Sequence, residues 1–129
     1  MRILVLDDIE YRHKVFDQVY QGDTIDHAYT YTDFCNKLQS GRYDLVHLDH
    51  DLGDFVTGDR YIDGWGHSRE YNGQHAAMKV CEMQTPPSKV IIHSVNPGGS
   101  RAMLQMLTRA GIPTTWDPFT DPAFSADVE

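Results

Sequence analysis

Ile3-Leu4-Val5-Leu6-Asp7-Asp8 is the stretch on which the fold turns. Four consecutive apolar residues leave neither side for water, the pattern of a strand covered on both faces of a parallel sheet. The run stops at two aspartates, so its carboxyl end meets solvent. The same arrangement returns downstream. Tyr43 to Asp49 reads as a strand running into Asp49-His50-Asp51. Lys89 to Ile92 reads as one closing on His93-Ser94-Val95-Asn96, and Ile112 to Trp116 as a short last strand before Asp117. Thr24 to Tyr29 alternates loosely and reads as a further strand.

Helical patterns fill the gaps. Residues 9–20 place Val15, Phe16 and Val19 on one face, and Gly22-Asp23 breaks them. Thr32 is the expected N-cap of a helix carrying Phe34, Cys35 and Leu38, stopped by Gly41. Residues 74–84 read as a helix with Ala77, Val80 and Cys81, ended by Pro86-Pro87. After the turn Pro97-Gly98-Gly99, residues 100–110 carry Met103, Leu104, Leu107 and Ala110, with Gly111 as the C′ residue. Alternating strands and helices imply a parallel sheet with helices on both faces and right-handed crossovers. Ligands then bind beyond the carboxyl ends of the strands.

Two segments depart from this rhythm. Leu52 to Asn72 has no clear period and mixes Gly53, Gly58, Gly64 and Gly66 with Phe55, Tyr61, Trp65 and Tyr71. Loops beyond roughly 12–15 residues are uncommon in compact domains and usually functional or disordered, and the aromatics argue against plain disorder. A functional loop is therefore expected at about 52–72, its aromatics either stacking a base or anchoring it to the body. After Asp117-Pro118-Phe119 the tail, with Pro122, leaves room for one helical turn and hardly a full last helix.

The 129 residues fit one domain, 1–129, and the 40% hydrophobic and 23% charged composition fits a globular protein rather than a disordered one. The first apolar run is too short for a signal peptide, and no stretch approaches the roughly 20 apolar residues that span a membrane. Cys35 and Cys81 lie in helical patterns without zinc-site spacing and read as reduced core residues, so a cytoplasmic protein is expected. With 19 acidic and 11 basic residues the net charge is -8, which speaks against gripping an extended nucleic-acid backbone. An acidic protein can still handle a phosphate where a bound cation supplies positive charge.

Asp7-Asp8, Asp49-His50-Asp51, His93-Ser94 and Asp117 share one edge of such a sheet. Carboxylates converging there repel unless protonated or neutralised. Oxygen-rich donors suit Mg²⁺ or Mn²⁺, and nearby imidazole favours Mn²⁺ or another transition metal. Each group also has a plainer use. A strand-end Asp often caps the next helix, and a strand-end His is often a satisfied structural group. His47 reads as a core residue, and His13, His27, His67 and His75 as surface or loop residues. His50 and His93 are candidate general acid and base. Asp49 is also a candidate nucleophile. Asn96 and the amides from Gly98 to Ser100 at a helix start could bind phosphate oxygens. Arg12, one turn past Asp8, either contacts the same phosphate or pairs with an acid.

The ordered set of Asp7-Asp8, Asp49, Ser94 and Pro118-Phe119 resembles the response-regulator receiver family. The resemblance implies a flavodoxin-like, doubly wound five-stranded parallel sheet of order 2-1-3-4-5, here with a truncated last helix. It further implies Mg²⁺ on the acidic pair, phosphoryl acceptance at Asp49 and a sensing role for Ser94. Asp117, however, stands where that family carries a Lys that contacts the phosphoryl group. Leu6-Asp7-Asp8 with Arg12-His13, Leu48-Asp49-His50-Asp51-Leu52-Gly53 and His93-Ser94-Val95-Asn96-Pro97-Gly98 are more similar to a receiver-like subfamily, the cyclic-phosphate processing receiver domains.

That resemblance implies a phosphoesterase acting on cyclic nucleotides or on RNA with a 2′,3′-cyclic-phosphate end. On this reading Asp7, Asp8, Asp49 and Asp51 hold Mg²⁺ or Mn²⁺, and Asp49, His50 and His93 carry catalysis. Arg12, Ser94, Asn96, Gly98 and Gly99 contact the phosphate. The expected partner is a small phosphorylated ligand or an RNA end, with no membrane. The alternative is a non-catalytic pseudo-receiver that binds a partner protein or small ligand.

Overall fold

The computed structural model describes residues 1–52 and 60–119. In chain order the elements are β1 (Arg2–Leu6), α1 (Glu10–Val19), β2 (Thr24–Ala28), α2 (Tyr31–Ser40), β3 (Leu45–Leu48), β4 (Arg60–Ile62), β5 (Ser68–Glu70), α3 (Gly73–Cys81), β6 (Lys89–Ile92), α4 (Pro97–Arg109) and β7 (Thr114–Trp116). Five parallel strands form one sheet in the order β2-β1-β3-β6-β7. Counting sheet strands alone, this is the expected 2-1-3-4-5, a flavodoxin-like receiver fold.

Strand alternation sorts the core into two layers. Leu4 and Leu6 of β1, Val46 and Leu48 of β3, and Val90 and Ile92 of β6 face α2, α3 and α4, where Phe34, Ala77, Val80, Met103 and Leu107 close over them. Ile3, Val5 and Leu45 face the other way, against Val15 and Phe16 of α1 and the buried ring of Phe119.

Several local expectations change. The N-cap of α2 is Thr30, whose hydroxyl accepts the Asp33 N–H, rather than Thr32. The cap sits two residues earlier because β2 already ends at Ala28 and leaves only two linking residues. Cys35 and Cys81 are half-buried, packed at the margin of the larger layer. His13 is not a surface residue. It is buried against β1, where its Nε2–H donates to the Asp7 carbonyl at 2.8 Å, and burial pushes its pKa down.

The 60–72 part of the expected loop contains an antiparallel hairpin of β4 and β5. Its turn is built on Asp63, which accepts the Trp65 and His67 N–H groups, and on Gly66 at φ +80°. Tyr61 packs on Tyr71 with ring centroids 4.8 Å apart, and Tyr71 stacks on Tyr31 of α2 at 4.1 Å. These two tyrosines anchor the hairpin, while Trp65 is 85% exposed. Gly53, Phe55, Gly58 and the tail from residue 120, including the expected truncated helix, lie outside the described residues.

Candidate functional site at the carboxyl edge of the sheet

The backbone ladder runs one residue past each central strand. Asp7 N–H donates to Ala28 O at 3.1 Å, Asp49 N–H to Leu6 O at 3.0 Å, and His93 N–H to Leu48 O at 2.9 Å. Asp7, Asp49 and His93 therefore keep strand geometry, and period two decides where they point. Ile3, Val5 and Leu45 belong to the α1 layer, and Ile91 packs against it. The same parity places Asp7, Asp49 and His93 on the α1 side, all three buried.

There they converge. One donor atom from each lies within 4.8 Å of the other two. His93 Nε2–H donates to Asp7 Oδ2 at 2.7 Å. From α1, Arg12 Nη1 reaches Asp7 Oδ2 at 3.3 Å and Asp49 Oδ2 at 3.5 Å. The remaining carboxylate oxygens take backbone donors: Ile9 N–H on Asp7 Oδ1 at 2.8 Å and His50 N–H on Asp49 Oδ1 at 2.9 Å.

The two carboxyls separate electrostatically. Burial pushes Asp7 up, but the His93 hydrogen bond and charge, the Ile9 N–H and Arg12 outweigh it and hold the pKa below the usual range. Asp49 is pushed up to about 8 by burial and then by the charges of Asp7 and Asp8, against the opposing pull of Arg12 and the His50 N–H. Behind this group, Phe16 packs on both His93 and His47, at 5.0 and 4.6 Å. His47 is a core residue as expected, bonded to Tyr20 Oη through Nε2 at 2.6 Å and held well below the usual histidine range by burial. Among the described residues, the buried Nδ1 atoms of His47 and His93 have no hydrogen-bond partner.

A second group occupies the opposite side of the same edge. His50 follows Asp49 and so shares parity with Val46 and Leu48, which face α3 and α4. Its ring lies against the start of α4: a Cβ on Gly99 would stand 2.3 Å from His50 Cδ2. Nδ1 lies 2.8 Å from Asp51 Oδ1, and Nε2 lies 3.3 Å from the side-chain nitrogen of Gln74. Asn96 Nδ2 also lies 3.3 Å from Nδ1, but the carboxylate is closer and only accepts, so Nδ1 carries the proton and Nε2 presents its lone pair to the Gln74 donor. Asn96 caps α4 by accepting the Gly99 N–H at 3.0 Å, and its Nδ2 reaches Asp51 Oδ1 at 3.4 Å. A cavity of about 280 Å³ opens beside His50, lined by Asp51, Leu52, Glu70, Tyr71 and Asn72.

The expected site residues thus fall into two clusters. Asp7, Asp49, His93 and Arg12 form the buried one. His50, Asp51, Asn96 and Gly99 form the other, and the His50 N–H bond to Asp49 joins them. Asp8 is exposed beside the first cluster and Asp51 is 72% exposed in the second, so neither is among the three gathered donor atoms. Ser94 is buried. Its hydroxyl accepts the Asn96 N–H at 3.1 Å and its carbonyl accepts from Trp116 Nε1 at 2.9 Å, which fastens the turn into α4. Gly98 is exposed at that helix start, and Asp117 is exposed past β7.

Three contributors went unread in the sequence: His93 as a donor grouped with the carboxylates, Gln74 and Gly73. Strand parity was enough to find the first. Gln74 and Gly73 enter only through the docking of α3. Gly73 N–H donates to His50 O at 2.7 Å, and a Cβ there would lie 2.0 Å from Asp49 O.

Two carboxylates and an imidazole fit a divalent cation, and the imidazole suits Mn²⁺ better than Mg²⁺. Asp49 is raised by burial first and by the charges of Asp7 and Asp8 after it, with Arg12 pulling the other way.

Comparison with known proteins agrees with the geometry. The model of the cyclic-phosphate processing receiver domain matches residues 2–109. No curated protein matches the chain. Among solved structures, the chain is similar to the response regulator TrrA from Thermotoga maritima in complex with Mg²⁺ and BeF, at 21% identity and TM-score 0.65, covering 98% of this chain and 92% of that one. It is also similar to a CheY-like receiver domain from Methylobacillus flagellatus, at 14% identity and TM-score 0.66, over 100% and 98%. The Mn²⁺-bound form of response regulator Rcp1 matches at 12% identity and TM-score 0.67, over 98% and 88%.

Proposed function

The chain belongs to the cyclic-phosphate processing receiver family, and from that premise we propose that it is a metal-dependent phosphoesterase that opens cyclic phosphates. The observation that carries this reading is the Asp51–His50 pair beside the Asp7, Asp49 and His93 cluster. A receiver that only accepts a phosphoryl group has no need of an imidazole oriented by a carboxylate. Hydrolysis does, because a proton must leave water and reach an alkoxide.

Asp51 holds the His50 Nδ1–H, which leaves Nε2 as the basic nitrogen. In the proposed reaction a water oxygen bonds to phosphorus and one ring P–O bond breaks. The water proton passes to His50 Nε2, and the imidazolium returns it to the leaving ribose oxygen. Asp7, Asp49 and His93 would hold the cation, which supplies charge neutralisation for the phosphate. The amino end of α4 offers Gly98 to the phosphate. The Gly99 and Ser100 amides are already spent on Asn96. The cavity beside His50 gives room to the organic part of a nucleotide or RNA end, with Tyr71 as one wall. A long polyanion is disfavoured by the net charge of -8.

The test is release of monoester from 2′,3′-cyclic mononucleotides, or from RNA with that end, in Mn²⁺ or Mg²⁺. His50→Ala is expected to lower kcat by about 10²–10⁴-fold while leaving Mn²⁺ binding intact. No monoester from any of these substrates, by protein that binds Mn²⁺, overturns the proposal. One observation favours a second reading, a non-catalytic receiver: Asp117 puts an anion where receivers carry the phosphate-contacting Lys. That reading expects partner binding to survive His50→Ala.

A further inference from the structure

Arg12 stands where a cation would. Its Nη1 lies between Asp7 Oδ2 and Asp49 Oδ2, and Asp7 Oδ2 is also the acceptor of the His93 Nε2–H. These are atoms of the same three side chains that gather to within 4.8 Å. A divalent ion takes carboxylate oxygens at roughly 2.0–2.6 Å, which leaves no room for a guanidinium bridging the same pair. The bridge is also loose. At 3.3 and 3.5 Å its two contacts exceed the roughly 2.7–2.9 Å of a tight charge-assisted bond.

Arg12 is placed to move. Its side chain is 18% exposed, whereas those of Asp7 and Asp49 are 0% and 5%. The guanidinium carbon lies 5.2 Å from the Phe119 ring centre, so a desolvated face already supports the cation at the mouth of the cluster. Arg12 brings one positive charge to two carboxyl groups, and a divalent ion brings two.

We infer that Arg12 and a divalent cation are alternative occupants of the space between Asp7 and Asp49, and that cation binding releases the guanidinium to the phosphate of the substrate. The exchange concerns the cation alone. The second step rests on the phosphoesterase reading. Arg12 is then a positioning device with two stations: it keeps the carboxylates paired while the cation is away and delivers a phosphate contact only once the cation is present. Substrate capture is thereby made conditional on a loaded site.

The experiment measures Mn²⁺ binding to the full chain by electron paramagnetic resonance, for wild type, Arg12→Gln and Arg12→Lys. Removing the competitor is expected to tighten Mn²⁺ by about tenfold or more in Arg12→Gln, a gain of about 1.4 kcal/mol, with Arg12→Lys in between. Equal or weaker binding by Arg12→Gln overturns the exchange. Arg12→Gln also strips the carboxylates of their cation, so thermal unfolding is followed in parallel. Its stability deficit is expected to disappear in saturating Mn²⁺, and a deficit that persists there counts against the exchange. The second step is read with inorganic phosphate. Mn²⁺ is expected to raise phosphate affinity in wild type and not in Arg12→Gln, and an equal rise in both overturns the delivery. None of these readouts uses turnover. Failure of the phosphoesterase reading therefore shows as absent hydrolysis with the Mn²⁺ exchange unchanged.

Discussion

Asp49 is a buried carboxyl held near pH 8 while its neighbour Asp7 is held low, and this has a thermodynamic signature. Between its ordinary value of 3.8 and about 8, the folded state binds a proton at Asp49 that the unfolded chain has lost. Linkage then makes stability fall as pH rises through that window. Asp49→Asn keeps an acceptor for the His50 N–H and removes the charge. The metal-free variant is expected to gain about 1–3 kcal/mol over wild type, the gap widening from pH 5 to 8 and flattening above. Denaturant titration across pH checks it; a gap independent of pH contradicts the raised carboxyl. Adding Mn²⁺ should stabilise wild type and not the variant. The residue types of this site were legible in the sequence, because acids and imidazoles that end apolar strands have one edge to meet at. Their grouping was legible too, by counting in twos from Ile3 and Leu45 to Asp7 and Asp49. His13 was not, since its burial depends on how closely α1 lies on β1 rather than on any pattern within α1.

At the level of elements, the joint between β3 and α3 matters most. Gly73 opens α3, its N–H holds the His50 carbonyl, and its missing side chain lets the helix start touch the Asp49–His50 backbone. Asn72 and His75 close the same start with a reciprocal cap. Gly73→Ala drives a methyl into a peptide rather than into a yielding side chain. The expected cost is about 3 kcal/mol or more, with Gln74 drawn away from His50. Equilibrium unfolding measures the first, and a shift of the His50 ring resonances the second; a neutral substitution denies the close approach. Here the sequence was silent, because a glycine that opens a helix looks the same whether or not another backbone lies against it. The β4–β5 hairpin escaped for a different reason. Strands of three residues are shorter than any period that could reveal them. Its anchors, Tyr61 and Tyr71, were recognisable as aromatics in need of a surface.

Over the whole molecule, the net charge of -8 divides into a few buried acids with assigned partners and a larger solvated remainder. The remainder repels itself, and monovalent salt screens that repulsion. Raising NaCl from about 0.01 to 0.15 M is expected to lift the Tm by a few degrees in metal-free protein, as the screening length falls from about 30 to 8 Å. A lower Tm in salt would mean that attractive surface pairs, such as Arg2–Asp26 and Arg69–Asp63, outweigh the excess of acid. The covered parallel sheet followed from the apolar strands and the helices between them, and its order from the resemblance to receivers, so the architecture was the most readable level of all.

Adjacent residues Asp49 and His50 serve opposite sides of one strand, which ties the chemistry to the pairing of β3 with its neighbours. A slip by a single residue would turn the carboxylate toward α4 and press the imidazole into the α1 layer, while Val46 and Leu48 exchanged sides with Leu45 and His47. A sheet misaligned by one residue keeps neither half of the site. The same alternation that builds the core therefore acts as a parity check on the candidate site, and a strand one residue out of register loses both clusters together.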